Sequence, residues 1–259
     1  MPNIVSADGT KIAYDRAGSG DPLILVLGAF NDRSTHTAFA AALSSNFTVY
    51  NYDRRGRGAS TDTKPYAVER EIEDLEALID DAGKAAFVVG YSSGAVLALR
   101  AAAAGVHIAK LALYEPPAGH PNPPTDTPEQ LQRLIDAGAR GDAVELFQTR
   151  VIGMPTELVA QTRHAPFRPS LEAMAHTLVY DTTLTRAATD AAGLADGVKI
   201  PTLVLVGDNS PIWMQAGGRA IAAAVPDVGE YRQLTGQNHD IVPAVVVPEL
   251  VDFHTATGD

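Results

Sequence analysis

The chain contains no cysteine. Disulfides, thiolate metal sites and a cysteine nucleophile are therefore excluded. Basic residues are scarce: 20 Lys and Arg stand against 31 Asp and Glu, a net charge of −11. Such a chain, without a basic patch, is a poor partner for nucleic acid or an anionic membrane. The only dense basic stretch, Arg54-Arg55-Gly56-Arg57, is flanked by Asp53 and Asp62. No run reaches the roughly 18 apolar residues that a spanning helix needs, and the N-terminus shows no basic start followed by an apolar core. The expectation is a soluble, cytoplasmic protein, monomer or homodimer, that acts on a small molecule.

Apolar residues make up 46% of the 259 and charged residues 20%, enough to bury a full core. The apolar residues are organised. Short strands are read at Ile4-Val5, Lys11 to Arg16, Leu23 to Leu27, Thr48 to Tyr52, Ala86 to Val89, Lys110 to Tyr114, Thr202 to Val206 and Glu230 to Leu234. Several are continuous apolar runs, as expected of strands covered on both faces. Helical periodicity marks Tyr66 to Ala82, where Val68, Ile72, Leu75, Leu78 and Ile79 recur on one face, and then Ser93 to Ala104, Trp213 to Ala224 and Pro243 to His254. Strand–helix alternation predicts an α/β fold with a doubly wound, mostly parallel sheet. The rhythm breaks at prolines 116, 117, 121, 123, 124 and 128. From there to Lys199 the pattern is helical, too long for an ordinary connection. Residues 1–115 and 200–259 are thus read as the core, and 116–199 as a helical lid inserted after the strand that follows the Ser93 helix.

One motif carries chemistry. Gly90-Tyr91-Ser92-Ser93-Gly94 follows a buried strand and opens a helix. A turn this tight exposes the central hydroxyl at a helix N-terminus, and only glycines fit two positions to either side. Ser92 is therefore the candidate nucleophile. A serine needs a base. Of the seven histidines, His239 lies in the loop between the last strand and the last helix, at the same sheet edge. His36 and His107 fall on or near helices away from that edge.

These landmarks, with the loop at Gly28 and the segment Asp53-Arg54-Arg55-Gly56-Arg57-Gly58, make the chain similar to the α/β-hydrolase superfamily over nearly its whole length. The resemblance implies a nucleophile elbow at Ser92, His239 as base, and an oxyanion hole made by the Ser93 N–H and that of Ala29 or Phe30. The family usually has His-Gly in that first loop; here there is no histidine, and small residues stand instead. Many members carry the acid three residues past a glycine after the strand that follows the lid. That slot holds Ser210, with Asp208 two residues early. The other known place follows the strand after the elbow helix, where Glu115 stands 23 residues after Ser92. Glu115 is preferred and Asp208 stays open as the alternative acid. The Glu115 position resembles that of some haloalkane dehalogenases and of zearalenone-type lactone hydrolases, but the dehalogenase nucleophile is an aspartate. The segment 53–58 is read as structural, with turn glycines and a local ion pair.

The function implied is a serine hydrolase cleaving an ester or lactone of a medium-sized apolar molecule, with no cofactor and no metal. Phe30, Tyr91, Met154, Phe167, Met174, His176, Tyr180, Trp213 and Met214 are the candidate pocket walls. The same triad also serves non-hydrolytic members of this fold (lyases, cyclases, perhydrolases), and a catalytically inactive binding protein is a third reading.

Overall fold

A computed structural model describes residues 2–83, 85–120, 125–186, 188–226 and 228–256. Prolines 121, 123 and 124, part of the proline-rich entry to the helical segment, lie outside the described residues. Eight strands form one sheet: β1 (Asn3–Val5), β2 (Lys11–Ala17), β3 (Pro22–Val26), β4 (Thr48–Tyr52), β5 (Ala86–Tyr91), β6 (Ile108–Tyr114), β7 (Thr202–Gly207) and β8 (Gly229–Leu234). Their spatial order is β1-β2-β4-β3-β5-β6-β7-β8. β1, β2 and β4 pair antiparallel, and every pairing from β4 to β8 is parallel. This is the α/β-hydrolase fold. All the strands read from the sequence form, with ends displaced by one or two residues.

The central strands are apolar at every position because both faces are covered. On one face α2 (Val68–Asp81), α3 (Ser93–Ala103) and α9 (Ile212–Ala224) bury Leu75, Leu78, Val96, Leu99 and Ile221 against Ile24, Val88, Leu111 and Val204. On the other, α1 (Thr37–Leu43) and α10 (Pro243–Thr255) bury Phe39, Leu43, Val246 and Leu250 against Leu23, Leu25, Val89 and Leu203. Helix α1 was not read from the sequence: seven residues, mostly alanine, give too little periodicity.

Between β6 and β7 the described chain is helical: α4 (Thr127–Asp136), α5 (Arg140–Arg150), α6 (Thr156–Gln161), α7 (Arg168–Ala173) and α8 (Leu178–Thr185), with a 3-10 turn on either side of α7 and another after α8. These helices have a small core of their own, built on Leu131, Val144, Phe147 and Leu178. Among the described residues no helix is long and apolar enough to cross a membrane.

Candidate active site

Parallel strands end together at one edge, and the connections after β5, β6 and β8 there carry Ser92, Glu115 and His239. β5 runs straight into Ser92, which opens α3. A Cβ on Gly90 would come within 2.6 Å of the Ala95 Cα, and one on Gly94 would overlap the Val26 carbonyl oxygen. Only glycine permits the turn at both places. Ser92 itself adopts φ 55° and ψ −127°, and its hydroxyl caps no backbone group. That left-handed backbone is strained for a serine. Among the described residues the other non-glycine positions with positive φ are Phe30 (59°) and Glu115 (54°). All three lie at this edge.

His239 and Ser92 stand 3.0 Å apart, Nε2 to Oγ. The other ring nitrogen, Nδ1, lies 3.4 Å from Glu115 Oε2. Glu115 is wholly buried at the end of β6. Its second oxygen, Oε1, accepts the Gly207 N–H at 2.6 Å and the Ser210 hydroxyl at 2.7 Å. Asp208 is exposed and points elsewhere: its Oδ1 accepts the Gly236 N–H at 2.7 Å, pinning the loop that carries His239. Of the two candidate acids, the structure brings only Glu115 to the histidine.

Two tyrosines hold the histidine loop from beneath, a role the sequence reading missed. Tyr91 donates to the His239 carbonyl oxygen at 2.9 Å, and the Tyr114 hydroxyl lies 2.8 Å from both the Asn238 and Asp240 carbonyls. Each tyrosine immediately precedes a reactive residue, Ser92 or Glu115. Burial, with Asp240 and Glu115 close by, raises the Tyr91 phenol well above its ordinary value, so it remains a donor. His36, placed away from the edge by the sequence reading, instead packs edge-on against the Tyr91 ring at 5.5 Å.

A cavity of about 370 Å³ opens beside Ser92. Its walls include Ala29, Phe30, Ser93, Phe147, Ile152, Asp181, Trp213, Met214 and His239, with Tyr91 at the floor. Five of the expected wall residues are elsewhere. Phe167 is about half exposed on the outside, Met174 is buried, and Met154 sits in the turn after α5. Tyr180 stacks on Tyr66 at 3.9 Å and donates to Asp62 Oδ2, and His176 lies beside Asp62 and Arg140. Among the described residues the cavity walls include no Lys or Arg. Among the described residues no cluster of three or more His, Asp or Glu is arranged to hold a metal ion.

The segment 53–58 is not a local ion pair. Arg54 makes a two-pronged bond to Glu71 at 2.7 Å and reaches Asp181 at 2.8 Å; Arg57 reaches the other oxygen of Asp181 at 2.7 Å. All four side chains are almost completely buried. Asp181 comes from α8, more than a hundred residues away, so nothing in the local sequence advertises the contact.

A sequence model of the alpha/beta hydrolase family matches residues 23–249. The chain belongs to the alpha/beta hydrolase family. It is 46% identical to an alpha/beta hydrolase of Sphaerobacter thermophilus whose crystal structure superposes with a TM-score of 0.90, over 98% of this chain and 100% of that one. An enol-lactonase from Burkholderia xenovorans shares the fold at 24% identity and a TM-score of 0.72, over 98% of this chain and 100% of that one. Among curated proteins, an uncharacterized hydrolase of Bacillus subtilis, YraK, is 37% identical over 95 residues, a stretch that spans 35% of each chain.

Proposed function

We propose that this alpha/beta hydrolase is a serine hydrolase that cleaves an uncharged ester or lactone of medium size through an acyl-enzyme. The observation that carries the reading is the unbroken line from Ser92 Oγ through His239 to the buried Glu115, at 3.0 Å and 3.4 Å. Such contacts tighten once substrate is bound. Ser92 attacks the carbonyl carbon while His239 Nε2 takes the hydroxyl proton. Glu115 steadies the resulting imidazolium. The oxyanion sits on the N–H groups of Ser93 and of Ala29 or Phe30, where amide donors at the mouth of α3 favour negative charge. His239 hands its proton to the leaving oxygen, then draws one from water as the water attacks the acyl carbonyl. Ser92 recovers its hydroxyl when the acid departs. No metal or organic cofactor enters these steps. Segment 116–199 serves as the lid that closes the cavity from above.

The cavity supports the substrate class. Its size suits a small molecule, and its surface is mainly apolar. With no Lys or Arg among its described wall residues, it offers no cation to a carboxylate or phosphate on the acyl chain. The test combines labelling with turnover. A fluorophosphonate should label Ser92, located by mass spectrometry, and Ser92→Ala should lower hydrolysis of p-nitrophenyl butyrate at least ~1,000-fold. A half-ester of succinate should be the poorer substrate. An unlabelled Ser92 would end the proposal.

A further inference from the structure

A buried, fully paired carboxylate on the wall of a reaction cavity calls for an explanation. Four buried charges are costly to desolvate, and an apolar cluster of the same volume often serves stability as well or better. The Arg54, Arg57, Glu71 and Asp181 network is neutral as a set, two positive and two negative, so it places no net charge near the reaction. What distinguishes it is where its outer contacts go.

Asp181 Oδ1 accepts the Ser93 hydroxyl at 2.7 Å, and Ser93 is the residue whose N–H opens α3 beside Ser92. Arg57 Nη1 donates to the Gly28 carbonyl at 2.5 Å and to the Asn31 carbonyl at 3.2 Å. The Gly28 carbonyl belongs to the same peptide group as the Ala29 N–H. A guanidinium on that oxygen polarises the amide and strengthens its N–H as a donor. Asn31 in turn donates to the Ala29 carbonyl at 2.7 Å, which belongs to the Phe30 peptide group. One carboxylate therefore grips both halves of the proposed oxyanion hole: Ser93 directly, and residues 28–31 through Arg57. Burial alone would push the Asp181 carboxyl up, but Arg57 and Arg54 hold it below the ordinary value, so it is ionised.

We propose that Asp181 is a positioning residue for catalysis, contributed by the helical segment 116–199, which sets the two sides of the oxyanion hole at their working separation through Ser93 and Arg57. The proposal rests on Ser92 being the nucleophile. It makes that segment part of the transition-state machinery rather than a cover alone.

The test uses three variants of the full chain: Asp181→Asn, Asp181→Glu and Ser93→Ala. The last keeps the Ser93 N–H and removes only the hydroxyl that joins it to Asp181. With p-nitrophenyl butyrate, Asp181→Asn should lower kcat about 100-fold, in the range for losing an oxyanion donor, with KM within about threefold. Affinity for phenylboronic acid, which forms a tetrahedral adduct on the serine, should fall in parallel. Ser93→Ala should lose about tenfold in both readouts, and Asp181→Glu should recover part of the loss. A purely structural role would lower the melting temperature and leave kcat of the folded protein untouched. The proposal is overturned if folded Asp181→Asn and Ser93→Ala keep kcat and boronate affinity within about twofold of the parent. Should Asp181→Asn not fold, Ser93→Ala decides alone. A parent protein that takes no label at Ser92 overturns the nucleophile and this inference together, whereas a labelled, active parent with indifferent variants overturns only the inference.

Discussion

A buried carboxylate stands directly after β6, while the end of β7, its neighbour in the sheet, and the turn after it supply the two donors that hold it. Glu115 supplies the charge; Gly207 N–H and Ser210 Oγ supply hydrogen bonds to its far oxygen. The carboxylate that does lie in the β7 turn, Asp208, is exposed and serves the backbone of the histidine loop. Both turns carry an acid, and the sequence reading prefers Glu115 while leaving Asp208 open. Direction decides. A left-handed backbone at Glu115 turns its side chain under His239, and burial at 0% exposure keeps it there.

The comparison breaks most sharply under paired substitution. Glu115→Gln keeps the shape but cannot stabilise the imidazolium, and the amide invites the wrong histidine tautomer. Loss of kcat by about 10³–10⁴-fold is expected, against less than about threefold for Asp208→Asn, whose amide oxygen still accepts the Gly236 N–H. Steady-state kinetics on the two purified variants decide it; the opposite ranking would falsify the Glu115 assignment.

A sharper version moves the charge across the gap. Ser210 Oγ already lies 2.7 Å from the Glu115 carboxylate. The double variant Glu115→Ala/Ser210→Asp puts a carboxylate in the β7 turn with the first one gone. It should regain about 10–100-fold of kcat over Glu115→Ala alone, short of the parent because the supporting donors are not rearranged to suit. No gain at all would mean that the β7 turn holds its side chain in the wrong orientation for His239.

Much of this was legible in the chain, for identifiable reasons. Strands covered on both faces are written as unbroken apolar runs, so β3, β5 and β7 could be read directly. Gly90, Ser92 and Gly94 announce the elbow because its geometry forbids other residues. What could not be read was direction and distance. The apolar residues 154, 167, 174 and 180 look like pocket wall in the sequence, but none lines the cavity: Phe167 is exposed, Met174 is buried and Tyr180 stacks on Tyr66. Arg57 and Asp181 carry no local signature, since their meeting depends on how α8 lies over the sheet edge. The left-handed backbone at Phe30 and Glu115 is equally silent, for neither is a glycine.

The donors in the β7 turn can be weakened without moving the charge. Ser210→Ala removes one hydrogen bond to a buried carboxylate, typically worth about 1.5–3 kcal/mol. Part returns if water reaches the site, so a stability loss of about 1–2 kcal/mol is expected by chemical denaturation, with kcat reduced several-fold. If Ser210→Ala proved as damaging to kcat as Glu115→Gln, the division of labour between the turns would have to be redrawn.

The smallest effects belong to the tyrosines at the ends of β5 and β6. Tyr114→Phe removes a hydroxyl shared between the Asn238 and Asp240 carbonyls; Tyr91→Phe removes the one on the His239 carbonyl. Both rings keep their packing, so each single change should cost about 1 kcal/mol and lower kcat only about two- to threefold. The two act on the same short loop, which Asp208 also grips through Gly236. The double variant frees its inner side and should lose more kcat than the product of the single losses, with KM nearly constant. A double-mutant cycle measures this directly. Simple multiplication of the two effects would show that either tyrosine acts alone, and that the histidine loop owes its position to Asp208 and the β7 turn instead.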